Sequence, residues 1–361
     1  MTKTMLCAAM LAATSLVMAQ APTINYVKTI VNPTVGGNPI ANQEISSVVA
    51  DADNIFYSGW PTSGTSFSLV RVQDWRRPTP TINGIFTDST GQARPSKIVL
   101  DGGNLYFGTS MGASSGAGAA QMEVYRLDFS GNLVGSGGGL DPFFDGIVQS
   151  ADLGTGGYQD MAMDPGWNGN NVQKLGFCAF GSRVATRIDL TTGKPNDGYL
   201  GIDASLAPSF WNANTRGIDF RSDGNGVFRA GNDLVLAIRD RYESAGGPVT
   251  VGWSGAELIA DQTDANSQWT NIWVAPAANG VGEFYVYTDR SLTSTGNVIL
   301  RAIDGSWTTN LTGSPQGNWT NSRQNFHTAD VDGTTYLFVS GFKGSTQGVD
   351  VFQLGNAGQI T

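Results

Sequence analysis

The stretch from residue 94 to residue 134 decides the fold. It contains strand-like apolar runs separated by turns and by one Gly/Ala/Ser-rich loop. In chain order the runs are Lys97-Ile98-Val99-Leu100, Leu105-Tyr106-Phe107-Gly108, Met122-Glu123-Val124-Tyr125-Arg126-Leu127-Asp128 and Leu133-Val134. The first two are separated by Asp101-Gly102-Gly103-Asn104, and such clusters between apolar runs are typical of tight turns. The stretch therefore predicts an antiparallel four-stranded meander.

The same order of runs recurs along the chain. First strands are expected to start near residues 46, 97, 160, 217, 271 and 326, a spacing slightly above that of kelch blades. A single meander cannot bury both of its faces, whereas radial packing of several meanders does. We therefore expect an all-β fold, a β-propeller of six four-stranded blades. Seven blades are the alternative, if residues 136–156 and 195–214 contain further strands.

Two details of the repeat are specific enough to test. The N-terminal run Tyr26-Val27-Lys28-Thr29-Ile30 has nothing before it to pair with, so we expect it to complete the last blade and close the ring. In the fourth repeat we place the second strand at residues 233–238 and a weaker third strand at residues 249–251.

Apolar runs joined by Asp- or Gly-containing turns resemble those of six-bladed propellers of the NHL and YVTN type. The resemblance covers residues 24–360 and implies a fold but hardly a function. No signature Trp-Asp, kelch double-Gly or quinoprotein pattern accompanies it.

Four predicted third strands share a motif in which an arginine is followed by an acid. These arginines are Arg71, Arg126, Arg187 and Arg301. Repeated charges on strands usually tune strand pairing and edges. We interpret the four arginines as structural residues that pair across strands.

Composition limits the class of partner. The chain has 361 residues, with 21 Lys and Arg against 30 Asp and Glu, for a net charge of −9. A phosphate-binding face needs a surplus of basic residues, so nucleic acid is not expected as a partner.

The N-terminus predicts export. Residues 1–19 combine Lys3, a short apolar run and Val17-Met18-Ala19 at the expected cleavage site, as in a secretory signal peptide. We expect one propeller domain over residues 20–361, in the periplasm, at the cell surface or outside the cell, and a bacterial source. The run is too short to span a bilayer. After cleavage only Cys178 remains, in a dense apolar run, where a buried strand position is expected.

Ligands of propellers usually gather at one face, around the central channel. In the predicted repeat this face is formed by the second-to-third loops and by the segments leading into the first strands. The candidate ligand-binding residues of this rim are Trp60, Arg183, Arg216, Arg239, Arg290, His327 and Lys343. Such a rim suits a carboxylated polysaccharide, because arginine binds carboxylates bidentately. Trp60, Tyr242 and Trp211 are the expected stacking surfaces for sugar rings. The alternative is that these groups pair with rim aspartates and hold the blades in register.

Catalytic signals are few. The chain has one histidine, His327, so a His-rich metal centre is excluded and a Ser-His-Asp triad would need this residue. We favour a hydrogen-bonded structural role for it. Sialidases are propellers with an arginine cluster, but their Asp-box repeats are absent and only Asp304-Gly305-Ser306-Trp307 approaches one. No cofactor is expected. Turns such as Ser222-Asp223-Gly224-Asn225-Gly226 leave calcium as a minor alternative, although hairpin turns favour the same residues.

The sequence thus indicates a non-catalytic binding or scaffold propeller that recognises an anionic glycan or a protein. The rival hypothesis is a secreted glycan-active hydrolase or lyase that uses rim arginines and a channel Tyr or carboxylate. Neither the ligand nor the oligomeric state follows from the sequence.

Overall fold

A computed structural model describes most of the propeller. The described ranges are 20–35, 38–39, 45–59, 68–87, 97–108, 123–135, 144–145, 158–167, 173–179, 181–193, 199–202, 206–243, 249–261, 272–291, 294–312, 325–343 and 346–355. The predicted signal peptide and Trp60 lie outside them. No helix in these ranges is long and apolar enough to cross a membrane.

The described strands form six four-stranded antiparallel sheets, which we call blades 1 to 6. Three strands precede blade 1 in the chain: β1 (Thr23–Val31), β2 (Thr34–Val35) and β3 (Asn38–Pro39), of which β2 and β3 pair only with each other. Blade 1 contains β4 (Ile45–Ala50), β5 (Asn54–Gly59), β6 (Leu69–Gln73) and β7 (Thr81–Phe86). Blade 2 contains β8 (Lys97–Asp101), β9 (Asn104–Gly108), β10 (Glu123–Leu127) and β11 (Phe144–Asp145).

The next two blades follow the same order. Blade 3 contains β12 (Tyr158–Asp164), β13 (Lys174–Ala179), β14 (Ala185–Asp189) and β15 (Tyr199–Leu200). Blade 4 contains β16 (Thr215–Phe220), β17 (Gly226–Ala230), β18 (Asp233–Glu243) and β19 (Val249–Ala260). The segments that suggested a seventh blade contribute β11 and β15, the outer strands of blades 2 and 3.

Blade 6 takes one strand from the N-terminal part of the chain. Blade 5 contains β20 (Ile272–Ala275), β21 (Phe284–Ser291), β22 (Ser294–Ala302) and β23 (Thr308–Asn310). Blade 6 contains β24 (Asn325–Val331), β25 (Thr334–Lys343) and β26 (Thr346–Gly355), with β1 outermost. In that register Thr23 lies opposite Gly355 and Val31 opposite Gly348. The predicted closure of the ring is confirmed.

The structure corrects the prediction for blade 4. Its second strand is Gly226–Ala230, so residues 233–238 begin the third strand and residues 249–251 begin the fourth. The sequence here places two turns only a few residues apart, which hid a five-residue strand. All five of its residues are buried, and this is the reason the segment pairs rather than turns.

The core is divided among the junctions between blades. Each of six apolar clusters joins two neighbouring blades. At the closure, for example, Trp75 of blade 1 packs edge-on against Phe338 of blade 6, with ring centroids 5.2 Å apart. Cys178 is fully buried on β13, as expected. Because blades bury their faces against one another, the ring depends on every junction.

The predicted structural role of the third-strand arginines is confirmed for three of them. Arg71 Nε donates to Asn54 Oδ1 at 2.8 Å within blade 1. Arg187 lies 3.5 Å from Asp164 within blade 3. Arg301 of blade 5 donates to the carbonyl of Ile259 in blade 4. These arginines join strands and blades.

Candidate functional site

The two ends of the ring differ in the strand connections that they contain. At the upper end the first strands begin and the second-to-third loops cross, whereas at the lower end the first and second strands meet in hairpins. The predicted rim belongs to the upper end. Arg183 and Arg216 both lie there, in the β13–β14 loop and on β16.

A side-chain hydrogen bond brings these two positions together across the junction of blades 3 and 4. Thr215 Oγ1 donates to the carbonyl of Ser182 at 2.7 Å, and both residues are buried. Ser182 precedes Arg183 and Thr215 precedes Arg216, so the two arginines flank one fixed contact.

The backbone at Arg216 is bulged. Thr215 pairs with Ala230 and Gly217 with Arg229, which leaves Arg216 as the extra residue. Bulges re-aim side chains at sheet rims. Arg216 is half-buried. In a regular strand this position would pair with a residue on β17, but the bulge makes it the extra residue of the register.

Arg183 is held by the next blade. Its Nε donates to the carbonyl of Trp211 at 2.6 Å, and its side chain is half-buried. Trp211 itself is fully buried and lies 5.4 Å from the Phe228 ring. The expected stacking role of Trp211 is therefore wrong, because the indole belongs to the core and only its carbonyl faces the arginine.

Two further rim candidates lie at the upper end, on the hairpins between second and third strands. In blade 6, β25 continues past the Asn325–Ser340 pair to Lys343. In blade 5, β21 continues past the Ile272–Tyr287 pair through Arg290 to Ser291.

Arg239 lies at the opposite end from its predicted place, because it belongs to the third strand of blade 4 rather than to a second-to-third loop. Its Nη2 and Nη1 lie 2.5 and 3.1 Å from the Asp164 carboxylate of blade 3, and both side chains are fully buried. Nη1 also donates to the carbonyl of Gly166 at 3.1 Å. The rings of Phe220 and Trp253 lie 5.8 Å from the guanidinium carbon. Arg239 is thus enclosed between two blades and out of reach of a rim ligand.

His327 lies on β24 and faces the channel. The Ala50 N–H of blade 1 donates to its Nδ1 at 3.2 Å, which requires an unprotonated Nδ1. Its ring lies 4.5 Å from the ring of Trp273. Burial lowers the pKa of His327 to about 3. The expected structural role of this histidine agrees with the geometry, since it joins the last blade to the first.

The contact made by His327 is one of a series that circles the channel. Every junction between neighbouring first strands has such a contact. These contacts are Ser47 Oγ to Ile98 N at 3.1 Å, Lys97 to Asp160 at 3.3 Å, Asp160 Oδ2 to Ile218 N at 3.3 Å, Asp219 Oδ2 to Val274 N at 2.6 Å, Trp273 Nε1 to Thr328 Oγ1 at 3.0 Å, and His327 Nδ1 to Ala50 N at 3.2 Å. We call this series the inner belt.

The belt surrounds a cavity of about 380 Å³ in the middle of the ring. First strands of all six blades line it. Its walls are largely apolar or aromatic, with Met161, Trp273 and Phe326 among them, and its polar groups are mostly belt residues. At the lower end the lining includes Gln173, Ser222 and Pro276, which are exposed, so the cavity opens to solvent there.

The two belt carboxyls have perturbed ionisation. Burial raises the pKa of Asp219 to about 8, against the opposing hydrogen bonds from the Val274 and Phe220 N–H groups. Burial also raises the pKa of Asp160, although the ammonium of Lys97 opposes the shift. The nearby carboxyls of Asp160 and Glu283 also raise the pKa of Asp219, whereas Asp160 has a cation beside it.

Sequence reasoning missed the belt as a unit. It predicted Lys97 as the first residue of a strand and His327 as part of a ligand-binding rim. In the structure Ser47 and Asp160 each follow a bulge near the start of their strands, and each accepts the N–H of a residue on the next first strand. No local sequence pattern marks these contacts, because they join residues about fifty or more positions apart.

No protein-family model and no curated protein sequence matches the chain. Among solved structures, a sialidase of Trypanosoma rangeli in complex with 2,3-difluorosialic acid aligns with a TM-score of 0.49 at 12% identity, over 93% of this chain and 59% of the sialidase. AofleA from Arthrobotrys oligospora aligns with a TM-score of 0.44 at 12% identity, over 93% and 87% of the two chains. The structure of YjhT gives 0.43 and 10%, over 87% and 96%.

The chain thus spans less than two thirds of the sialidase it matches. Because these TM-scores lie below 0.5, the fold is assigned from the six sheets described above and not from these structures. The six blades agree with the expected fold, but nothing further supports the resemblance to NHL and YVTN propellers.

Proposed function

We propose that this protein is a non-catalytic binding propeller whose upper rim recognises an acidic polysaccharide outside the cytoplasm. The observation that carries the proposal is the Ser182–Thr215 hydrogen bond, because it joins the chain positions next to Arg183 and Arg216 on neighbouring blades. Two guanidinium groups held in place suit a chain of carboxylated sugars, because arginine binds carboxylates through paired hydrogen bonds.

The occupied state of the channel groups supports a role in binding over catalysis. A general acid or base must exchange a proton with its substrate. Yet His327 Nδ1 accepts a backbone N–H, and Asp160 is paired with Lys97. Asp219 accepts the N–H groups of Val274 and Phe220 with its two oxygens. All three groups therefore already have partners, and a general acid or base at Asp160 or His327 would have to give up a structural contact.

The upper-end hairpins of blades 5 and 6 fit the same ligand. Arg290 and Lys343 lie near the ends of these two hairpins. Blade 6 lies across the channel from blade 3, and blade 5 lies next to blade 4, so a polysaccharide lying across the channel from blade 3 to blade 6 would pass both Arg183 and Lys343. The predicted signal peptide is consistent with a place where such polymers occur. Rim recognition does not depend on the resemblance to NHL and YVTN propellers, which stays a prediction.

Calorimetry with oligogalacturonate and with its methyl ester tests the proposal. We expect the carboxylated oligomer to bind and the ester to give no heat. Arg183→Ala and Arg216→Ala should each weaken binding about tenfold or more, the loss of a charged hydrogen bond. Arg77→Ala is the matched control, since this arginine is exposed on the lower end. Equal binding of acid and ester, or an equal effect of Arg77→Ala, would contradict recognition of carboxylates by the rim.

The rival function keeps one specific observation in its favour. Asp219 lines a cavity and has a strongly raised pKa, and such groups cluster at catalytic sites. A reducing-end assay and ultraviolet detection of unsaturated products, run on the same oligomers, separate the two functions. Products that disappear in Asp219→Asn would make the protein a glycan-active hydrolase or lyase.

A further inference from the structure

A second candidate ligand site lies inside the ring and opens at the lower end, away from the arginine rim. The cavity of about 380 Å³ is in the size range of small-molecule sites. Its mouth is marked by Ser222 and by Glu283, whose side chain is 9% exposed. The Ser222 N–H donates to Glu283 Oε1 at 2.8 Å, which fixes the carboxylate at the opening.

The charge of the cavity is unevenly compensated. Lys97 lies 3.3 Å from Asp160 and balances it. Arg221 lies 4.0 Å from Glu283 and also binds Asp223 at 2.9 Å, outside the cavity lining. Asp219 makes no ion pair with any described residue and is held only by N–H groups, and His327 nearby is neutral. Among the described lining residues, three carboxyls therefore face one lysine.

Aromatic residues line the same cavity as the uncompensated carboxyl. Asp219 Oδ2 accepts the N–H of Val274 at 2.6 Å, and the preceding residue is Trp273. The indole of Trp273 is fixed by its bond to Thr328 and by the His327 ring at 4.5 Å. Phe220, the neighbour of Asp219 in sequence, also lines the cavity.

A carboxyl next to aromatic rings in an apolar cavity is suited to a particular ligand class. A carboxylate oxygen that accepts one N–H retains a further lone pair, and the face of an indole attracts a cation. An inorganic ion would gain nothing from the apolar walls, whereas an organic ammonium group with an apolar part uses both.

We propose that the cavity binds a small organic cation of the substituted-ammonium class. The cation enters between Ser222 and Glu283, its charge lies against Asp219, and its apolar part contacts Trp273. This site is independent of the polysaccharide rim, because it opens at the other end and has the opposite charge.

Titration with benzyltrimethylammonium, followed by calorimetry and by tryptophan fluorescence of the whole protein, tests this site. Benzyl alcohol and benzoate are the neutral and anionic counterparts. We expect the cation to bind at least about tenfold more tightly than the alcohol, and benzoate not to bind. Binding of all three with similar affinity, or no binding of the cation, would overturn the proposal.

Two variants and one control locate the ligand. Asp219→Asn should weaken cation binding about ten- to a hundredfold, the value of a charged contact. Trp273→Phe should weaken it by less, because a smaller ring remains. Asp304→Asn removes a carboxylate from an exposed lower-end turn outside the cavity and should leave binding unchanged. If Asp304→Asn weakened cation binding as much as Asp219→Asn, the loss would reflect the overall charge of the protein, and the proposed site would be contradicted.

A measurement on the unaltered protein remains informative if Asp219→Asn fails to fold. Burial keeps Asp219 protonated near neutral pH, so a cation that binds against it must displace on the order of one proton. Calorimetry at pH 7 in two buffers of different ionisation enthalpy counts that proton. Asp160, Lys97, Glu283, Arg221 and His327 are the other titratable groups near the path. Cation binding without proton release would show that Asp219 is not the partner.

Discussion

The junction between blades 3 and 4 carries an arginine at each end, and the two differ in almost every respect. At the lower end Arg239 is fully buried and bound to the Asp164 carboxylate. At the upper end Arg183 is half-buried and donates one hydrogen bond to a backbone carbonyl. From sequence both belonged to one rim. The difference shows that the role of an arginine at a junction depends on its partner in the next blade. Arg239 forms a buried ion pair with a carboxylate, whereas Arg183 donates to a backbone carbonyl.

The energetic consequence follows from burial. Removing one partner of a buried ion pair leaves an uncompensated charge in the interior, whereas an exposed pair contributes little. The lower end therefore depends on its charges for folding. The upper end of this junction depends on backbone and hydroxyl contacts, and the proposed function would use its two arginines. The experiments below test this division, from the largest expected effect to the smallest.

Asp164→Ala should have the largest effect. Arg239 would lose the carboxylate that binds two of its nitrogens, and Arg187 would lose the same partner. We expect the free energy of unfolding to fall by about 3–5 kcal/mol, the cost of breaking a buried pair. Urea unfolding measures it.

Asp332→Asn is the control for that change. Asp332 pairs with Arg76 at 2.6 Å on the surface, where the two side chains are 83% and 44% exposed. Its loss should leave the urea midpoint unchanged. If the two variants lose similar stability, burial does not decide the worth of these pairs.

The closure between blades 6 and 1 should respond to pH. The unfolded His327 takes up a proton near pH 6.5, whereas burial lowers its folded pKa to about 3. Between these values the unfolded state binds more protons, so stability from this group must fall as pH falls. His327→Gln does not titrate. The stability advantage of the natural protein over this variant should therefore shrink from pH 7 to pH 5, by at most about 1.4 kcal/mol per pH unit.

Asp219 should give the opposite slope. Its folded pKa of about 8 lies above that of an unfolded aspartate, so the folded state binds the extra proton between about pH 4 and pH 8. Stability from Asp219 falls as pH rises through that window, and Asp219→Asn should remove this decline. Urea midpoints at pH 5, 6, 7 and 8 for both variants check both signs. Parallel curves for the natural protein and either variant would rule out that group as a source of pH dependence.

Thr215→Val should have the smallest effect on folding and a visible one on binding. The change removes the hydroxyl that donates to the Ser182 carbonyl but keeps the shape of the side chain. We expect a loss of about 1 kcal/mol, as for one buried hydrogen bond. Acidic oligosaccharide binding should weaken as well, because Arg183 and Arg216 lose their common support. A variant that loses stability but binds normally would show that the rim does not need this contact.

Much of the ring was predictable from the chain because its signals are local. Apolar runs and Gly/Asp/Asn turns recur within each blade, so the starts of first strands came within a few residues of their observed places. Closure by β1 followed from an N-terminal strand without a neighbour. The second strand of blade 4 was missed because the turns on its two sides almost meet. That single shift moved Arg239 from one end of the ring to the other.

What the sequence by itself determined is the repeat: the four-stranded meanders, their order and a buried Cys178. Alternation along a strand and turn chemistry act between residues close in sequence, so these features can be read from the residues alone. What only the tertiary structure decided is which charges meet. Lys97 meets Asp160, and Asp164 meets Arg239, across blades whose facing strands are about sixty residues or more apart in the chain. Burial at those contacts, which the residue types do not reveal, identifies Arg239 as a structural arginine.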